Sequence, residues 1–289
     1  MIKEIQAKVL LSHVKQPDPW FGLKYNMNLY RGCQHQCIYC DSRSECYQIE
    51  NFTDILVKVN AIELLEDELS RKRVKGTIGT GSMNDPYMPL EGKVNLTGRA
   101  LDVIARYEFP VHIITKSDLV LKDLDVLKQI NQIYAAVSFT ITTTDEGLAQ
   151  ILEPGAPSVS RRLQAMRVLS ENGIHTGVTM MPILPFIEDN EENIAQIVHQ
   201  AWDAGASYII PGFGMSLRRG SRDYYYEKLD QFFPGLKRKY RKTFGLQYQC
   251  PANHAQRLRE TFFELCEHCG ISASITPYSS ELTPQLSLF

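Results

Sequence analysis

The stretch YRGCQHQCIYCDSRSECY, residues 30–47, contains four of the seven cysteines in this 289-residue chain. Cys33, Cys37 and Cys40 follow the spacing C-x3-C-x2-C. Thiolates bind zinc and iron–sulfur clusters, but structural zinc usually takes four ligands, often as two C-x2-C pairs. Three cysteines can bind three irons of a cubane cluster and leave the fourth iron open to a small molecule. The spacing therefore favours a 4Fe-4S cluster with one open iron over a zinc site or a chance group of buried cysteines.

Outside this loop, apolar and β-branched runs alternate with segments of helical periodicity. Strands are expected at 25–32, 77–81, 111–115, 135–141, 176–181 and 207–212. Helices are expected at roughly 54–70, 97–107, 119–132, 159–172 and 190–204. This alternation indicates βαβ units and a parallel sheet, and no glycine-rich dinucleotide turn is visible. The predicted fold class is α/β, a partial (β/α)6 TIM-like barrel with functional groups at the C-terminal ends of its strands, and an open α/β sheet is the alternative.

The composition is that of a soluble globular protein, with 44% hydrophobic residues and a formal net charge of −2. This charge gives no global positive field, but basic clusters occur at 71–75 (RKRVK), 217–222 (LRRGSR) and 237–242 (KRKYRK). Such clusters are either solvated faces or surfaces for nucleic acid. The N-terminus lacks the apolar core of a signal peptide, and no stretch is apolar for long enough to span a membrane. We therefore expect a cytoplasmic protein with reduced thiols.

The cysteine motif, with Tyr39 just before its last cysteine and a strand before it, resembles the radical S-adenosylmethionine (radical SAM) superfamily. Other stretches resemble its spore photoproduct lyase-like branch, also described as DNA repair photolyase-like. They are GTGSMNDPYMPLE (79–91), ITKSD (114–118), VSFTITTTD (137–145), EPGAPSVSRRLQAMRVLSENGI (153–174) and MPILPFIEDNEENI (181–194). The resemblance implies a partial barrel of the radical SAM type with an irregular C-terminal extension. It also implies that SAM binds the open iron of a 4Fe-4S cluster and is cleaved reductively to a 5′-deoxyadenosyl radical, which abstracts hydrogen from a substrate.

The resemblance further implies a set of SAM contacts. Lys116 and Ser138 match a lysine and a serine at the ends of the third and fourth strands, where a cation or a hydroxyl can reach a carboxylate or a ribose. The residues predicted to contact SAM are Tyr39, Asn84, Asp85, Lys116, Ser138, Arg161 and Arg162. Taken singly, several of these residues are equally common in turns and caps, so the prediction depends on their position relative to the strands.

One position departs from the resembled lyase. There, a cysteine three residues before an Asp-Pro pair returns a hydrogen atom to the product radical. In this chain Ser82 has that place, before Asp85–Pro86, and a serine O–H bond is too strong to donate hydrogen readily. Cys46 is an alternative donor. The lyase's own reaction is therefore not expected by this route, and a related base lesion or a different substrate remains open.

The cysteines outside the motif allow a second cluster, because Cys266 and Cys269 form a C-x2-C pair and Cys250 precedes them. However, the pair recurs at helical spacing with Leu258 and Phe262, which favours an amphipathic helix with buried free cysteines. The predicted domains are a radical SAM core at 1–215, a helical extension packed on it at 216–280 and an exposed tail at 281–289.

The tail ends in QLSLF, which resembles the pentapeptide that docks bacterial polymerases and repair proteins on the sliding clamp. Gln285, Leu286, Leu288 and Phe289 are the predicted contacts. The alternative is that these apolar side chains pack on their own domain.

Together these features predict a radical SAM enzyme, lyase-like, that acts on DNA in repair of a damaged base. A flavodoxin or ferredoxin would supply the electron. The alternatives are a radical SAM enzyme that modifies RNA, a protein side chain or a small molecule, and a non-catalytic metal-binding nucleic-acid module.

Overall fold

The computed structural model describes residues 1–15, 18–49 and 51–279. Its strands, numbered in chain order, are β1 Ile2–Ile5, β2 Leu11–His13, β3 Tyr25–Met27, β4 Tyr30–Arg31, β5 Ile55–Lys58, β6 Ile78–Thr80, β7 Val111–Thr115, β8 Ala135–Thr140, β9 His175–Met180, β10 Tyr208–Pro211, β11 Gly214–Ser216 and β12 Gln249–Pro251. Its α-helices are α1 Ala61–Ser70, α2 Glu91–Val94, α3 Leu96–Arg106, α4 Leu124–Ile130, α5 Glu146–Leu152, α6 Val159–Glu171, α7 Glu191–Asp203, α8 Ser221–Phe232, α9 Leu236–Phe244 and α10 Ala255–Cys269. Short 3-10 helices cover Asp41–Arg43, Glu45–Tyr47 and Asp118–Asp123.

The main sheet contains six parallel strands in the order β10-β9-β8-β7-β6-β3, and β2 pairs antiparallel with β3 at one edge. Because the strand order follows the chain order, the sheet curls in one direction as in a barrel; a doubly wound sheet reverses its order at a central strand. The strands β2 and β10 are the two edge strands of this sheet and do not pair with each other, so the barrel is partial. The predicted fold class, a partial (β/α)6 barrel, is confirmed.

Local sequence explains where several barrel helices begin. The hydroxyl of Ser158 accepts a hydrogen bond from Arg161 N at the start of α6, and the side chain of Asn190 accepts one from Asn193 N at the start of α7. Such caps satisfy backbone N–H groups that have no partner inside the helix. These two helices and α3 match the predicted segments within about two residues.

Two predicted elements are wrong. The strand expected at 25–32 breaks after Met27, because β4 leaves the main sheet and pairs antiparallel with β5 in a separate sheet of order β1-β5-β4. The helix expected from 54 begins only at Ala61, because Ile55 and Val57 are the buried members of the alternating strand β5. A two-residue period over four residues is too short to be distinguished from the start of a helix in the sequence.

The region after β10 packs in two places. On α10, Leu258, Phe262 and Cys266 are buried in the main core, which confirms the predicted amphipathic helix and the burial of Cys266. Helices α8 and α9 form a second apolar cluster whose buried members include Tyr225 and Tyr240. That cluster also contains Cys37 and Tyr39, so the C-terminal region packs directly on the cysteine loop.

The predicted domain boundaries at residues 215 and 280 stay a prediction. The residues of QLSLF that are predicted to contact a sliding clamp lie outside the described residues. In the described ranges, no helix is long and apolar enough to cross a membrane.

Candidate active site

The three motif cysteines lie in the loop after β4 and line one cavity of about 120 Å³. Cys33 and Cys37 are buried, and Cys40 is half-buried. The rest of the cavity wall comes from the segments that follow neighbouring barrel strands. It includes Gly81, Ser82, Met83, Asn84 and Asp85 after β6, Lys116 after β7, and Thr140, the last residue of β8. The cavity therefore lies at the C-terminal ends of the strands, as predicted for functional groups.

The donors of this cavity fit an iron–sulfur cluster. Burial raises the pKa of the Cys33 thiol to about 12, and it also raises the pKa of Cys37. Buried thiols of this kind ionise when metal binds, because the metal supplies the missing positive charge. Among the described residues, no three His, Cys, Asp or Glu side chains converge on the position of one metal ion. Three thiols that line one cavity can each bind a different iron of a cubane cluster, and such thiolates do not need to converge on one point.

A buried network supports the cysteine loop from behind. The hydroxyl of Tyr39 donates a hydrogen bond to Glu153 Oε1. The other oxygen, Glu153 Oε2, lies 2.5 Å from Arg162 Nη1, and Lys116 Nζ lies 3.8 Å from Oε1. Burial favours a neutral Glu153, but the charges of Arg162 and Lys116 outweigh it and lower the pKa of this carboxyl. The network therefore fixes Tyr39 through an ionised carboxylate.

The backbone on either side of Glu153 lies close to the cysteine loop. Gly155 N donates to the carbonyl oxygen of His35 over 2.9 Å, and Ile38 N donates to that of Leu152 over 2.9 Å. A Cβ at Gly155 would lie 2.1 Å from the carbonyl oxygen of Gln34, so a side chain at this position would displace the loop.

Asp85 connects the cysteine loop to the end of β7. Its Oδ1 accepts from Thr115 Oγ1 at 2.7 Å, and its Oδ2 accepts from Lys116 N at 2.6 Å. His35 Nδ1 lies 3.2 Å from the same Oδ2. Burial alone would raise the pKa of Asp85, but His35 and these hydrogen bonds lower it to about 2. Its neighbour Asn84 donates to the carbonyl oxygen of Tyr30 at 2.7 Å.

The structure separates the predicted SAM contacts into groups. Asn84, Asp85 and Lys116 line the cluster cavity, and Arg162 lies behind it in the Glu153 pair. Ser138 is not at the end of its strand, because β8 continues to Thr140. The Ser138 hydroxyl is buried in the barrel, 2.8 Å from His112 Nε2 and 2.7 Å from the hydroxyl of Tyr208.

The remaining predicted contact, Arg161, is on the surface: its side chain is 60% exposed and pairs with Asp118 at 2.6 Å. The roles of all seven residues in SAM binding stay predictions.

A larger cleft of about 650 Å³ opens beside the cluster cavity, and Cys40, Ser42 and Ser82 line both. The cleft wall also includes Tyr39, Met181, Pro182, Phe213, Met215 and Cys250. Trp20, Tyr47 and Tyr248 lie at its mouth, where Trp20 is 50% and Tyr248 47% exposed. The guanidinium carbon of Arg218 lies 5.0 Å from the ring centre of Tyr248 and 6.0 Å from that of Tyr47. Trp20, Tyr47, Arg218 and Tyr248 form the rim of the cleft. The sequence did not predict this rim, because its members are up to about 228 residues apart and share no local motif.

The two candidate hydrogen donors occupy different places. Ser82 lines the cleft and hydrogen-bonds through its hydroxyl to the side chain of Asn26. Cys46 is exposed, and its sulfur lies 3.3 Å from Arg218 Nη1, outside the cleft lining. Cys250 on β12 does line the cleft, where burial raises its thiol pKa. Cys266 and Cys269 line neither the cluster cavity nor the cleft.

Comparison with known proteins identifies the family. The sequence model that describes the radical SAM superfamily matches residues 27–199 of this chain. An uncharacterized protein of Methanocaldococcus jannaschii is 36% identical over 198 residues, which cover 68% of this chain and 72% of that protein. An uncharacterized protein of Mycobacterium tuberculosis is 29% identical over 245 residues (82% and 72% coverage). A radical SAM Nalpha-GlyT isomerase of Pseudomonas phage M6 is 23% identical over 181 residues (63% and 37%).

Solved structures share the fold. Spore photoproduct lyase complexed with dinucleoside spore photoproduct superposes with a TM-score of 0.70 at 17% identity, over 94% of this chain and 81% of that chain. A variant of that lyase with bound AdoMet and the same dinucleoside has a TM-score of 0.68 at 18% identity (94% and 80%). The methyltransferase TsrM from Kitasatospora setae, with cobalamin and a [4Fe-4S] cluster bound, has a TM-score of 0.57 at 11% identity (91% and 55%). The chain therefore belongs to the radical SAM superfamily, and its cofactors are a 4Fe-4S cluster and SAM.

Proposed function

We propose that this radical SAM enzyme acts on a nucleotide base of DNA, in repair of a damaged base. The observation that carries the proposal is the cleft of about 650 Å³ that shares Cys40 and Ser82 with the cluster cavity and has an aromatic and arginine rim. Cavities of this size hold small ligands, and a single extruded base with its sugar is such a ligand.

In this proposal Cys33, Cys37 and Cys40 hold the cluster. The bound cofactors supply reductive cleavage of SAM and the resulting 5′-deoxyadenosyl radical. Lys116 is the cation of the cavity: burial alone would lower its pKa, but Cys37 and Glu153 outweigh this and raise it. The lysine therefore stays charged and can bind a carboxylate in the cavity. The electron would come from a flavodoxin or ferredoxin type of donor.

The rim suits a base that is taken out of a stack. Trp20 and Tyr248 present half-exposed rings, and the guanidinium carbon of Arg218 lies 5.0 Å from the ring centre of Tyr248. Each base stacked on an aromatic side chain contributes about 1–3 kcal/mol to binding, with little dependence on sequence. Arg219 is 85% exposed next to Arg218 and can reach a phosphate.

A basic helix adjoins this rim. In α9, Lys237 pairs with Asp230, whereas Arg238, Lys239, Arg241 and Lys242 are exposed. A short turn at 245–247 connects this helix to Tyr248 at the cleft. Exposed cations next to a base-sized cleft are suited to the DNA backbone, because binding releases condensed counterions. The similar lyase structures contain a dinucleoside photoproduct, which supports a nucleotide substrate here.

The proposal does not depend on the lyase's own route of hydrogen return, because Ser82 stands where the resembled lyase has a cysteine. We also propose that residues 285–289 bind a bacterial sliding clamp, which would bring the enzyme to DNA. Support for this docking comes from the QLSLF sequence alone.

Tryptophan fluorescence tests the nucleic-acid proposal directly. The chain has two tryptophans, Trp20 at the cleft and Trp202 on α7, so Trp202→Phe leaves a single reporter at the proposed site. Titration with single-stranded DNA should quench this signal, and the affinity should fall steeply with salt. Tyr248→Ala in the Trp202→Phe background should weaken binding about 5- to 100-fold, as expected for one lost stacking contact. Phe263→Ala removes a similarly exposed ring on α10 and should leave binding unchanged.

A second experiment, on SAM cleavage, decides the substrate class. Reconstituted enzyme is incubated with DNA, with RNA of the same sequence and with no polymer, and 5′-deoxyadenosine is measured. DNA, and a damaged base above all, should stimulate its formation. An unquenched Trp20, or binding that does not change with salt, would contradict the DNA proposal. Stimulation by RNA alone would assign the cleft to RNA.

A further inference from the structure

Arg43 follows the cysteine loop and packs against two aromatic rings. It ends the 3-10 helix Asp41–Arg43, which begins directly after Cys40. Its guanidinium carbon lies 4.3 Å from the ring centre of Phe52 and 3.7 Å from that of Tyr224 on α8. These two cation–π contacts hold the guanidinium in place.

The edge of this guanidinium points to the cysteine loop. Arg43 Nη2 donates to Gln36 Oε1 at 2.6 Å, and Gln36 Nε2 donates to the carbonyl oxygen of Cys33 at 2.5 Å. Gln36, between Cys33 and Cys37, has a left-handed backbone with φ 55°. Arg43 is therefore connected to the backbone of the first motif cysteine through a single side chain.

Among the described residues, the guanidinium of Arg43 has no carboxylate partner within 4.0 Å. Its Nη2 donates to Gln36 Oε1, but its buried Nε has no hydrogen-bond acceptor there. Burial lowers the pKa of Arg43, and the groups that oppose this shift are Tyr224 and the three cysteines, Cys40, Cys37 and Cys33. A buried cation with an unsatisfied donor is costly unless an anion faces it. Three of the groups that favour the charged form of Arg43 are the cysteines that line the cluster cavity, and their thiols become anionic when they bind iron.

We propose that Arg43 is a positioning residue that raises the reduction potential of the 4Fe-4S cluster. Reduction adds one negative charge to a cluster that already carries three thiolates, so a fixed cation nearby stabilises the reduced form. Hydrogen bonds that support the thiolates act in the same direction, and Arg43 is connected to the carbonyl oxygen of Cys33 through Gln36. This inference rests on the proposal that Cys33, Cys37 and Cys40 hold the cluster.

The C-terminal region takes part in this tuning through Tyr224. Two hydrogen bonds fix the start of α8 against the loop: Ser44 Oγ lies 3.3 Å from Ser221 Oγ, and Glu45 N donates to the carbonyl oxygen of Arg219 at 3.1 Å. Gly220, between them, has a left-handed backbone with φ +87°. A Cβ at Gly220 would lie 2.9 Å from the carbonyl oxygen of Arg43, so only glycine allows this approach without a shift. The position of Arg43 therefore depends on a residue about 180 positions away in the chain.

The test measures the cluster itself and does not depend on turnover. Wild type, Arg43→Leu, Arg43→Lys and Tyr224→Leu are reconstituted anaerobically, and iron and sulfide contents are determined. The midpoint potential of the cluster then follows from EPR spectra recorded at controlled potentials. Arg71→Gln, which removes an exposed arginine that pairs with Asp67 at the end of α1, is the control for loss of one positive charge.

We expect Arg43→Leu to make reduction about tenfold less favourable, which is about 59 mV for a one-electron couple. Arg43→Lys keeps the charge and should stay closer to wild type. Tyr224→Leu should shift the potential in the same direction as Arg43→Leu but less, and Arg71→Gln should not shift it.

Each outcome separates the two proposals. Absence of a 4Fe-4S signal in wild type would contradict the cluster assignment. A loaded wild type and a loaded Arg43→Leu variant with equal potentials would overturn the role of Arg43 and leave the cluster assignment intact. If Arg43→Leu cannot be loaded, Tyr224→Leu and Arg43→Lys decide: a lowered potential in Tyr224→Leu with a near-wild-type Arg43→Lys supports the role, and wild-type potentials in both overturn it.

Discussion

The neighbouring arginines Arg161 and Arg162 offer a matched experiment on the support of the cysteine loop. Their side chains are 60% and 2% exposed, respectively. Arg162 pairs with Glu153 at 2.5 Å and donates to the backbone carbonyls of Pro157 and Thr140, each at 3.0 Å. Replacement of Arg162 by leucine therefore removes the ion-pair partner of Glu153 Oε2 and the donor to two backbone carbonyls, while Tyr39 still donates to Glu153 Oε1.

The expected cost follows from these contacts. Removal of one partner of a buried ion pair typically lowers the free energy of unfolding by about 3–5 kcal/mol. Lys116 Nζ, 3.8 Å from Glu153, partly replaces the lost charge, so we expect the lower end, about 3 kcal/mol, for Arg162→Leu. Arg161→Leu removes an exposed pair with Asp118 and should cost about 0–1 kcal/mol.

Urea denaturation of the two variants measures this difference. Arg162→Leu should also raise the pKa of Glu153, because Arg162 is the largest of the charges that lower it. In wild type, the lowered pKa of Glu153 gives stability that is present at neutral pH and lost as the pH falls. In the variant this contribution is absent or reversed, so its deficit relative to wild type should shrink in acid.

A second substitution identifies the cause. In the double variant Arg162→Leu, Glu153→Gln, the unpaired charge is gone, so the double variant should be more stable than Arg162→Leu alone at neutral pH. Equal costs for Arg161→Leu and Arg162→Leu, or a double variant that is no more stable than Arg162→Leu, would refute the assignment of this network.

Three further outcomes are expected. Cys40→Ala should abolish both the iron–sulfur absorbance and SAM cleavage, whereas Cys266→Ala should keep both and lower stability by about 1–3 kcal/mol; full cluster content in the Cys40 variant would be incompatible with the motif assignment. Burial, with smaller contributions from Glu153 and Asp189, raises the pKa of Glu188. The free energy of unfolding should therefore fall as the pH rises above the usual pKa range of glutamate, and urea titrations of Glu188→Gln should not show this dependence. Deletion of residues 285–289 should abolish binding to a bacterial sliding clamp in a biosensor assay; unchanged affinity, or no affinity for the full chain, would argue against the docking peptide.

The sequence by itself determined the chemistry and the order of the barrel. The three cysteines of the C-x3-C-x2-C motif lie in one short loop. Their spacing along the chain is therefore enough to predict that they bind together. The strands β6 to β10 and the helices α3, α6 and α7 are visible because each has a long enough apolar period or an end signal such as Ser158 or Asn190.

Only the tertiary structure decided which side chains surround the chemistry. Ser138 and Lys116 look equivalent along the chain, yet the register of β7 and β8 puts Ser138 inside the barrel beside His112 and leaves Lys116 in the cavity. The cleft joins Trp20 to Tyr248 from opposite ends of the chain, and Tyr224 packs on Arg43 across about 180 residues. Such contacts arise when α8 and β12 fold back onto the cysteine loop. No local period encodes them, because they depend on where the ends of distant elements meet in space.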